Sequence, residues 1–326
     1  MLNVAFVGTG TFPANLEQPV RRHLTTPCEI IVASEIDILP RLAEIDVLVT
    51  MGLTTEMAHA APRLKLVQVP GAGLDRIDRS ALPDGALLAN VYGHEVGIAE
   101  YVIGAMLTLT REFPRLDAAL RRGEWQSHWA VGVAPPPLWP ELAGRTIGIL
   151  GYGRIGQQIA RRARAFDMQI CAIRRDVGQS MEDDLALLGG PDILDTVLEH
   201  SDYVVVTMPA SPETIGWLGE AQLRRMKPSA FLINVARAEI IDEDAVYHAL
   251  TRRAIAGAAL DVWYRYPREP GKAAPATRPF HELPNVLMTP HVSGWTDGTL
   301  DARARLIAEN IRRVAAGEVP LNLISR

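Results

Sequence analysis

The sequence is poor in cysteine, with only Cys28 and Cys171 among its 326 residues. Two cysteines give no disulfide framework, so we interpret both as small buried side chains in a reducing compartment. Long apolar runs are also missing, since none approaches the roughly 20 residues that a membrane-spanning helix needs. There is no excess of positive charge either, and the net charge of −5 disfavours nucleic acid or an anionic membrane as the main partner.

The N-terminal stretch "MLNVAFVGTG" lacks the positively charged start and the cleavage site of a secretory signal. We therefore expect it to form a first β-strand, and we expect the protein to be cytoplasmic. A chain of 326 residues is longer than one hydrophobic core usually serves, which predicts two domains.

Short apolar runs rich in valine and isoleucine alternate with helix-length segments along most of the chain. The first series of runs is "LNVAFVG", "EIIVAS", "IDVLVT", "KLVQVP" and "ALLANV". The second series is "RTIGILG", "MQICAIR", "YVVVTMP", "AFLINVA", "AIAGAALDV" and "VLMTPHV". This alternation is typical of βα units on a parallel sheet, so each series predicts one α/β sheet.

Three segments outside these runs have patterns of their own. The stretch "EVGIAEYVIGAMLTLTREF" predicts an apolar helix, and Pro114 suits the first turn of a shorter helix that follows it. Residues 125–144 are rich in proline and tryptophan and have no helical period, which predicts a long loop. The segment "DGTLDARARLIAENIRRVAAGE" predicts an amphipathic helix with Asp297 as its N-cap and Gly317 as its stop.

Two glycine-rich turns follow apolar strands, and only the second has the full pattern of a dinucleotide-binding turn. Such a turn needs one glycine for the tight bend, one for the approach of the backbone to the pyrophosphate, and one for close helix–strand packing. The first turn, "VGTGTFP", has Pro13 at the third position, which predicts a simple βα turn. The second supplies Gly151, Gly153 and Gly156 ahead of an uninterrupted helix, whose N-terminus favours a phosphate.

The end of the next strand indicates which dinucleotide is preferred. NAD-binding turns place an Asp or Glu about 20 residues further on, where it accepts hydrogen bonds from the ribose hydroxyls. Here Arg174 lies 18 residues after Gly156 and is followed by Arg175. A guanidinium suits a 2′-phosphate, so NADP is favoured, although two arginines on a solvated loop are the simpler interpretation. Asp176 could bind a ribose hydroxyl, so NAD stays an alternative.

Six motifs follow one another along nearly the whole chain: "VPGAGLDRID", "NVYGHEVGIAEYVIGAML", "GILGYGRIGQQIA", "FLINVARAEIIDEDA", "GAALDVW" and "NVLMTPHVSGWT". In this order they resemble the D-isomer-specific 2-hydroxyacid dehydrogenase family. The resemblance implies an α/β fold of two Rossmann-type doubly wound parallel-sheet domains, with the nucleotide domain inserted into a flavodoxin-like substrate domain. It also implies a substrate domain of residues 1–97 plus 292–326, an NAD(P)-binding domain of residues 98–291, and a homodimer.

The resemblance also assigns roles to individual residues. Arg237 would clamp the substrate carboxylate and carbonyl, and His291 would donate the proton that accompanies the hydride. Ala72 and Gly73 would offer backbone amides to the substrate carboxylate, and Trp295 would shape the pocket or simply pack. The residues expected at the cofactor, with Asp261 near the nicotinamide amide, are Gly151, Gly153, Arg154, Ile155, Gly156, Arg174, Arg175, Thr207, Met208, Pro209, Val235, Ala236, Asp261 and Gly294. No metal is expected.

One position departs from the family pattern L-D-V-F-x-x-E-P, whose glutamate bonds the catalytic histidine and raises its pKa. The stretch "LDVWYRYP" matches that pattern from Leu260 to Pro267 and places Tyr266 on the glutamate. We expect Tyr266 to partner His291, with Glu269 brought in by a loop shift as the alternative. A neutral phenol supplies no negative charge, so the pKa of His291 is expected near its reference of about 6.5, or lower if buried. Reduction would then be favoured at slightly acidic pH.

The sequence thus predicts an NADP-preferring reductase of small 2-keto acids, of which glyoxylate and hydroxypyruvate are typical for the family. Formate dehydrogenases form a branch of the same family that also lacks the glutamate, and "DVW" and "TPHVSGWT" resemble that branch. A formate- or phosphite-type dehydrogenase is therefore one alternative. The other is a catalytically silent NADP-sensing protein, against which the presence of both Arg237 and His291 weighs.

Overall fold

The computed structural model describes residues 1–10, 12–134, 136–177, 184–267 and 272–324. The chain divides into two compact units, a first unit of Met1–His94 with Trp295–Arg326 and a second unit of Glu95–Gly294. The second unit is therefore inserted into the chain of the first. The junctions fall after residues 94 and 294, whereas the resemblance places them after residues 97 and 291. Nowhere in the described ranges is a helix both long and apolar enough to cross a membrane.

The described residues form two sheets in which all the strands are parallel. The strands of the first unit are β1 (Leu2–Val7), β2 (Cys28–Ala33), β3 (Val47–Thr50), β4 (Leu66–Gln68) and β5 (Leu87–Ala89). Those of the second unit are β6 (Thr146–Leu150), β7 (Gln169–Ile173), β8 (Leu187–Gly189), β9 (Tyr203–Val206), β10 (Phe231–Asn234), β11 (Gly257–Leu260) and β12 (Val286–Met288). Every predicted strand overlaps one of these, and β8, with three residues, is the strand that the pattern did not predict.

The order of the strands identifies both sheets as doubly wound. The first sheet runs β2-β1-β3-β4-β5, and the second runs β12-β11-β10-β9-β6-β7-β8. These are the flavodoxin-like and Rossmann orders, so the predicted fold class is confirmed. In the second sheet the order reverses between β6 and β9, which pair directly. Sheets of this kind bind ligands beyond the carboxyl ends of the strands at such a reversal point.

Helices cover both faces of each sheet. They are α1 (Phe12–His23), α2 (Thr55–His59), α3 (Glu95–Arg111), α4 (Phe113–Arg121), α5 (Arg154–Arg164), α6 (Leu194–His200), α7 (Glu220–Leu223), α8 (Glu243–Thr251) and α9 (Asp297–Ala315). Successive residues of β9 enter different cores: Tyr203 and Val205 pack in one apolar cluster, and Val204 and Val206 in another. Because both faces of each sheet are covered, the strand sequences are continuous apolar runs rather than alternations of apolar and polar residues.

The predicted helix ends agree with the structure at two places and differ at a third. Pro114 lies in the first turn of α4, as predicted. Gly317 follows the end of α9 with φ of +73°, a left-handed conformation that glycine adopts at no cost. The predicted N-cap of α9 was wrong. Thr296 takes that position, because its side chain accepts a hydrogen bond from the amide of Thr299, and Asp297 is the first helical residue.

Candidate active site

The glycine turn between β6 and α5 has room for a ligand on one side only. Gly151 has φ of +112°, and a Cβ there would lie 2.6 Å from the backbone nitrogen of Met208. A Cβ at Gly156 would lie 2.9 Å from the carbonyl oxygen of Gly151. A Cβ at Gly153, the N-cap of α5, would meet no atom within 4 Å. Two glycines are therefore required by packing, and the third leaves open space at the N-terminus of a helix, where a phosphate is favoured.

The loop after β9 is hydrogen-bonded to the glycine turn at the reversal point of the second sheet. The Thr207 hydroxyl donates a hydrogen bond of 2.7 Å to the Gly151 carbonyl oxygen, and the Thr207 amide donates one of 2.9 Å to Leu150. Met208 is buried against the glycine turn and Pro209 is exposed. Arg154 and Ile155 begin α5, with Arg154 exposed and Ile155 partly buried.

The two arginines predicted to bind the 2′-phosphate follow β7 beside the glycine turn. The carbonyl oxygen of Ile173, the last residue of β7, accepts hydrogen bonds from the amides of Gly151 and Tyr152 at 3.1 and 2.7 Å. Arg174 comes next and is partly buried, and its amide donates to Gly189 at 2.9 Å. Arg175 and Asp176 are exposed. Arg174 and Arg175 are thus one and two residues beyond Ile173, whose carbonyl oxygen contacts the turn directly.

Arg237 lies in the turn after β10, which a buried asparagine shapes. The Asn234 side chain accepts a hydrogen bond from the Ala236 amide at 3.1 Å and donates one to the Arg237 carbonyl oxygen at 2.9 Å. Val235 and Ala236 are buried, whereas Arg237 is partly exposed and donates from Nη1 to the Ala236 carbonyl oxygen at 2.8 Å. The guanidinium is therefore presented at the carboxyl edge of the sheet.

His291 and Tyr266 are brought together from positions 25 residues apart. The Tyr266 hydroxyl lies 2.8 Å from Nδ1 of His291, and it also accepts a hydrogen bond from the Trp263 amide at 3.3 Å. Both side chains are exposed. His291 has φ of +58°, a conformation that a residue other than glycine rarely adopts and that marks functional turns. The alternative partner Glu269 lies outside the described residues.

The phenol of Tyr266 stays neutral in this setting. Burial around the hydroxyl raises the pKa of Tyr266 above its ordinary value, although half of the side chain is exposed. The hydrogen bond from the Trp263 amide and the positive charge of Arg237 act in the opposite direction and lower the pKa of Tyr266. His291 therefore has a neutral hydrogen-bonding partner.

Asp261 has a structural role that the sequence did not indicate. Its fully buried carboxylate accepts hydrogen bonds from the Thr289 hydroxyl at 2.6 Å and from the amides of Val292 and Ser293 at 2.9 Å each. The Trp263 indole adds a hydrogen bond of 2.8 Å to the Thr289 carbonyl oxygen. These contacts hold the turn that contains His291. The binding of the nicotinamide amide by Asp261 stays a prediction.

The remaining predicted residues lie in other places. Ala72, Gly73 and Trp295 belong to the first unit, in which the Ala72 carbonyl oxygen accepts a hydrogen bond of 3.1 Å from Asn90. Trp295 is about half exposed, and its ring lies 6.4 Å from that of Phe12. Gly294 ends the second unit and is partly buried. The roles of these four residues stay predictions.

Comparison with known proteins agrees with this fold. Residues 103–293 match the family described as "D-isomer specific 2-hydroxyacid dehydrogenase, NAD binding domain". The chain is 36% identical over 303 residues to a glyoxylate reductase of Thermococcus onnurineus, covering 89% of this chain and 85% of that protein. It is 33% identical over 298 residues to D-3-phosphoglycerate dehydrogenase of Methanocaldococcus jannaschii, covering 89% of this chain but only about half, 53%, of that longer protein.

A solved structure shows the same likeness. It is the NADPH-dependent glyoxylate/hydroxypyruvate reductase of Sinorhizobium meliloti in complex with NADP and malonate, with a TM-score of 0.80 and 26% identity. The match covers 99% of this chain and 97% of that one. The chain therefore belongs to the D-isomer-specific 2-hydroxyacid dehydrogenase family, whose members are NAD(P)-dependent oxidoreductases of small 2-hydroxy and 2-keto acids.

Proposed function

We propose that the chain is an NADPH-dependent reductase of small 2-keto acids of the glyoxylate and hydroxypyruvate type. The observation that supports the proposal is the 2.8 Å contact between the Tyr266 hydroxyl and Nδ1 of His291, which gives the proposed proton donor a neutral partner. The glyoxylate reductases among the relatives support the class of substrate. The NADP in the related Sinorhizobium structure supports the cofactor.

The glycine turn fits a dinucleotide, because the Cβ position of Gly153 is open while the turn around it is closely packed. We infer that the amides at the start of α5 bind the pyrophosphate, and that Arg174 and Arg175 bind the 2′-phosphate. A bound nicotinamide cofactor supplies the hydride. The further residues that would line its site are Arg154, Ile155, Thr207, Met208, Pro209, Val235, Ala236, Asp261 and Gly294.

The Arg174 assignment predicts a cofactor-specific defect. Arg174→Ala should raise the KM for NADPH by about 10- to 100-fold, the value of a charge-assisted hydrogen bond to a phosphate. The KM for NADH, which lacks the 2′-phosphate, should stay the same. The matched control is Arg161→Ala, which removes an exposed arginine near the other end of α5. An equal rise in KM for both cofactors would show that Arg174 does not bind the 2′-phosphate.

The Tyr266 phenol can donate a hydrogen bond to Nδ1 of His291, which a carboxylate cannot do. The phenol oxygen accepts from the Trp263 amide, and we infer that its single hydrogen is donated to Nδ1 of neutral His291. A neutral imidazole that accepts at Nδ1 carries its proton on Nε2. Nε2 would then act as a base only after this proton is lost or moved. A glutamate partner, by contrast, only accepts hydrogen bonds, which leaves Nε2 of the neutral ring free to take a proton.

Each of these residues has its own proposed role in the reduction. Arg237 orients the substrate carboxylate and polarises the carbonyl, and the Ala72 and Gly73 amides keep the carboxylate-binding role that the resemblance implies. Neutral His291 hydrogen-bonds the carbonyl oxygen through Nε2–H, and the imidazolium form donates the proton to that oxygen. The Tyr266 oxygen can accept from Nδ1–H of the imidazolium, so the phenol holds the ring in both protonation states.

The oxidation of NADPH and of NADH should be measured with glyoxylate, hydroxypyruvate and pyruvate between about pH 5 and 8, on either side of the reference pKa of histidine. We expect turnover with the small 2-keto acids, preference for NADPH, and faster reduction on the acidic side. Reduction of NADP⁺ by formate or phosphite without keto-acid turnover would support the dehydrogenase alternative. Binding of NADPH without turnover of any of these compounds would support the silent binding protein.

We also propose that two copies of the chain associate through the segment after α4. This segment exposes large apolar side chains, with Trp129 79% and Leu138 99% exposed. It also lines an open cavity of about 710 Å³ formed mainly by Trp125, Trp129, Val131 and Val133. Exposed apolar patches of this kind mark association surfaces. Light scattering should give the mass of a dimer, and Trp129→Glu should shift it to that of a monomer without changing the cofactor affinity.

A further inference from the structure

A hydroxyl group on α3 is joined to the turn of His291 by a chain of hydrogen bonds that are partly or fully buried. The Tyr101 hydroxyl lies 2.7 Å from the Thr289 hydroxyl, and Thr289 precedes His291 by two residues. The Tyr101 side chain is partly buried, as is the bond to Thr289. The proposed step for keto-acid reduction does not use Tyr101, and neither the composition nor the motifs single it out.

The direction of each hydrogen bond follows from the number of hydrogens available. The Thr289 hydroxyl lies 2.6 Å from Oδ1 of Asp261, and a carboxylate only accepts hydrogen bonds. Thr289 therefore donates its single hydrogen to Asp261, and Tyr101 must donate to Thr289. Burial raises the pKa of Tyr101 to about 12, so the phenol keeps the proton that it donates at any physiological pH.

The other end of the chain reaches the residues that flank the imidazole. Asp261 accepts from the Val292 amide through Oδ1 and from the Ser293 amide through Oδ2, each at 2.9 Å. These amides follow directly after His291, whose left-handed φ of +58° has to be imposed by its surroundings. A loss of order at Asp261 would therefore change the direction in which the His291 ring points.

We propose that Tyr101 is a positioning residue for His291, acting through Thr289 and Asp261. The hydroxyl of Tyr101 fixes the Thr289 side chain, Thr289 and the two amides fix the Asp261 carboxylate, and the carboxylate fixes the turn. Buried networks in which each member is satisfied are rigid, and partly satisfied ones are not. This inference rests on the proposed role of His291 as proton donor, and it concerns the orientation of the His291 ring rather than the identity of the substrate.

The test is Tyr101→Phe, which removes one oxygen atom and keeps the ring. We expect kcat for glyoxylate reduction to fall about 3- to 10-fold, as the loss of one hydrogen bond predicts. The dissociation constant for NADPH should change less than kcat does, because the hydrogen bond described for Tyr101 leads to Thr289 and the turn of His291 rather than to the residues proposed to bind the phosphates. Thr289→Ser keeps the hydroxyl and should retain most of the rate, whereas Thr289→Val should lose at least as much as Tyr101→Phe.

The second unit contains a matched control. The buried Tyr203 hydroxyl lies 2.6 Å from that of Thr110, so Tyr203→Phe removes the same kind of tyrosine–threonine bond. This pair has no described bond to Asp261 or to the turn of His291. Tyr203→Phe should therefore lower the melting temperature by a similar amount and leave kcat unchanged. Equal effects of both variants on kcat would reduce Tyr101 to an ordinary stabilising residue.

A measurement that needs no turnover separates this inference from the proposed function. The carbon-bound ring protons of His291 can be followed by NMR and assigned by their loss in His291→Asn. Tyr101→Phe should shift or broaden these signals, and Tyr203→Phe should leave them in place. Unchanged His291 signals in Tyr101→Phe would overturn the positioning role whether or not the protein reduces any keto acid. Shifted signals in a protein without turnover would contradict the proposed function alone.

Discussion

Replacing His291 by asparagine is expected to lower kcat for glyoxylate reduction by about 100- to 10,000-fold, the usual contribution of a general acid. Asparagine keeps a hydrogen-bond donor of similar reach but has no proton to give near neutral pH. The affinity for NADPH should be retained, because His291 is not among the residues proposed to bind the phosphates. Steady-state rates and a fluorescence titration of NADPH measure the two quantities separately.

The control for this variant is His281→Asn, which removes an exposed histidine of the same unit beside Glu282. It should leave kcat and the pH profile unchanged. If His291→Asn kept more than about a hundredth of the wild-type kcat, the loss would fall below the lower limit for a general acid, and the proton would have to come from another source. The arrangement of Tyr266 and Asp261 around the ring would then need another explanation.

Replacing Tyr266 by glutamate is expected to move the pH dependence of the reaction. A carboxylate at Nδ1 stabilises the imidazolium, so the proton donor should persist to a pH about 1 unit or more higher. Glutamate also accepts the Nδ1 proton of the neutral ring, which frees Nε2 to act as a base. We therefore expect the variant to oxidise 2-hydroxy acids faster than the wild type. The pH profiles of kcat/KM in both directions check these results.

Tyr266→Phe distinguishes the effect of charge from the loss of the hydroxyl. It removes the bond to His291 and adds no charge, so kcat should fall with little movement of the pH profile. The neutral state of the wild-type phenol is secured because burial raises the pKa of Tyr266 further above the working range. An unmoved pH profile in Tyr266→Glu would mean that another group, such as an acid outside the described residues, partners His291.

The sequence predicted those features that depend on local pattern. The strands were visible because both faces of each sheet are covered, which demands continuous apolar runs. The three glycines of the β6–α5 turn were visible because each has its own steric requirement, and the structure shows two of them in close packing and one with open space. The pairing of Tyr266 with His291 was predicted from a motif with fixed spacing, and the structure places the two side chains 2.8 Å apart.

Other features depend on contacts between distant parts of the chain and left no local pattern. Tyr101 and Thr289 are 188 residues apart, and either residue type is ordinary at its position in a helix or at a strand end. The bonds from Asp261 to Val292 and Ser293 arise only when β11 and β12 pair in register. The N-cap of α9 was misplaced by one residue because Thr296 and Asp297 are both good capping residues, and the direction of the incoming chain decides between them.

The most direct test of this account is the tautomer of neutral His291, read from the ¹⁵N chemical shifts of its two ring nitrogens at a pH well above its titration. We expect a hydrogen-bonded, unprotonated Nδ1 and a protonated Nε2, as the inferred donation from the Tyr266 phenol to Nδ1 requires. Tyr266→Glu should reverse this assignment. A wild-type ring with its proton on Nδ1 and an unprotonated Nε2 would contradict this prediction, since the phenol would then accept from Nδ1 as a glutamate does, and Nε2 of the neutral ring would be ready to take a proton from a 2-hydroxy acid.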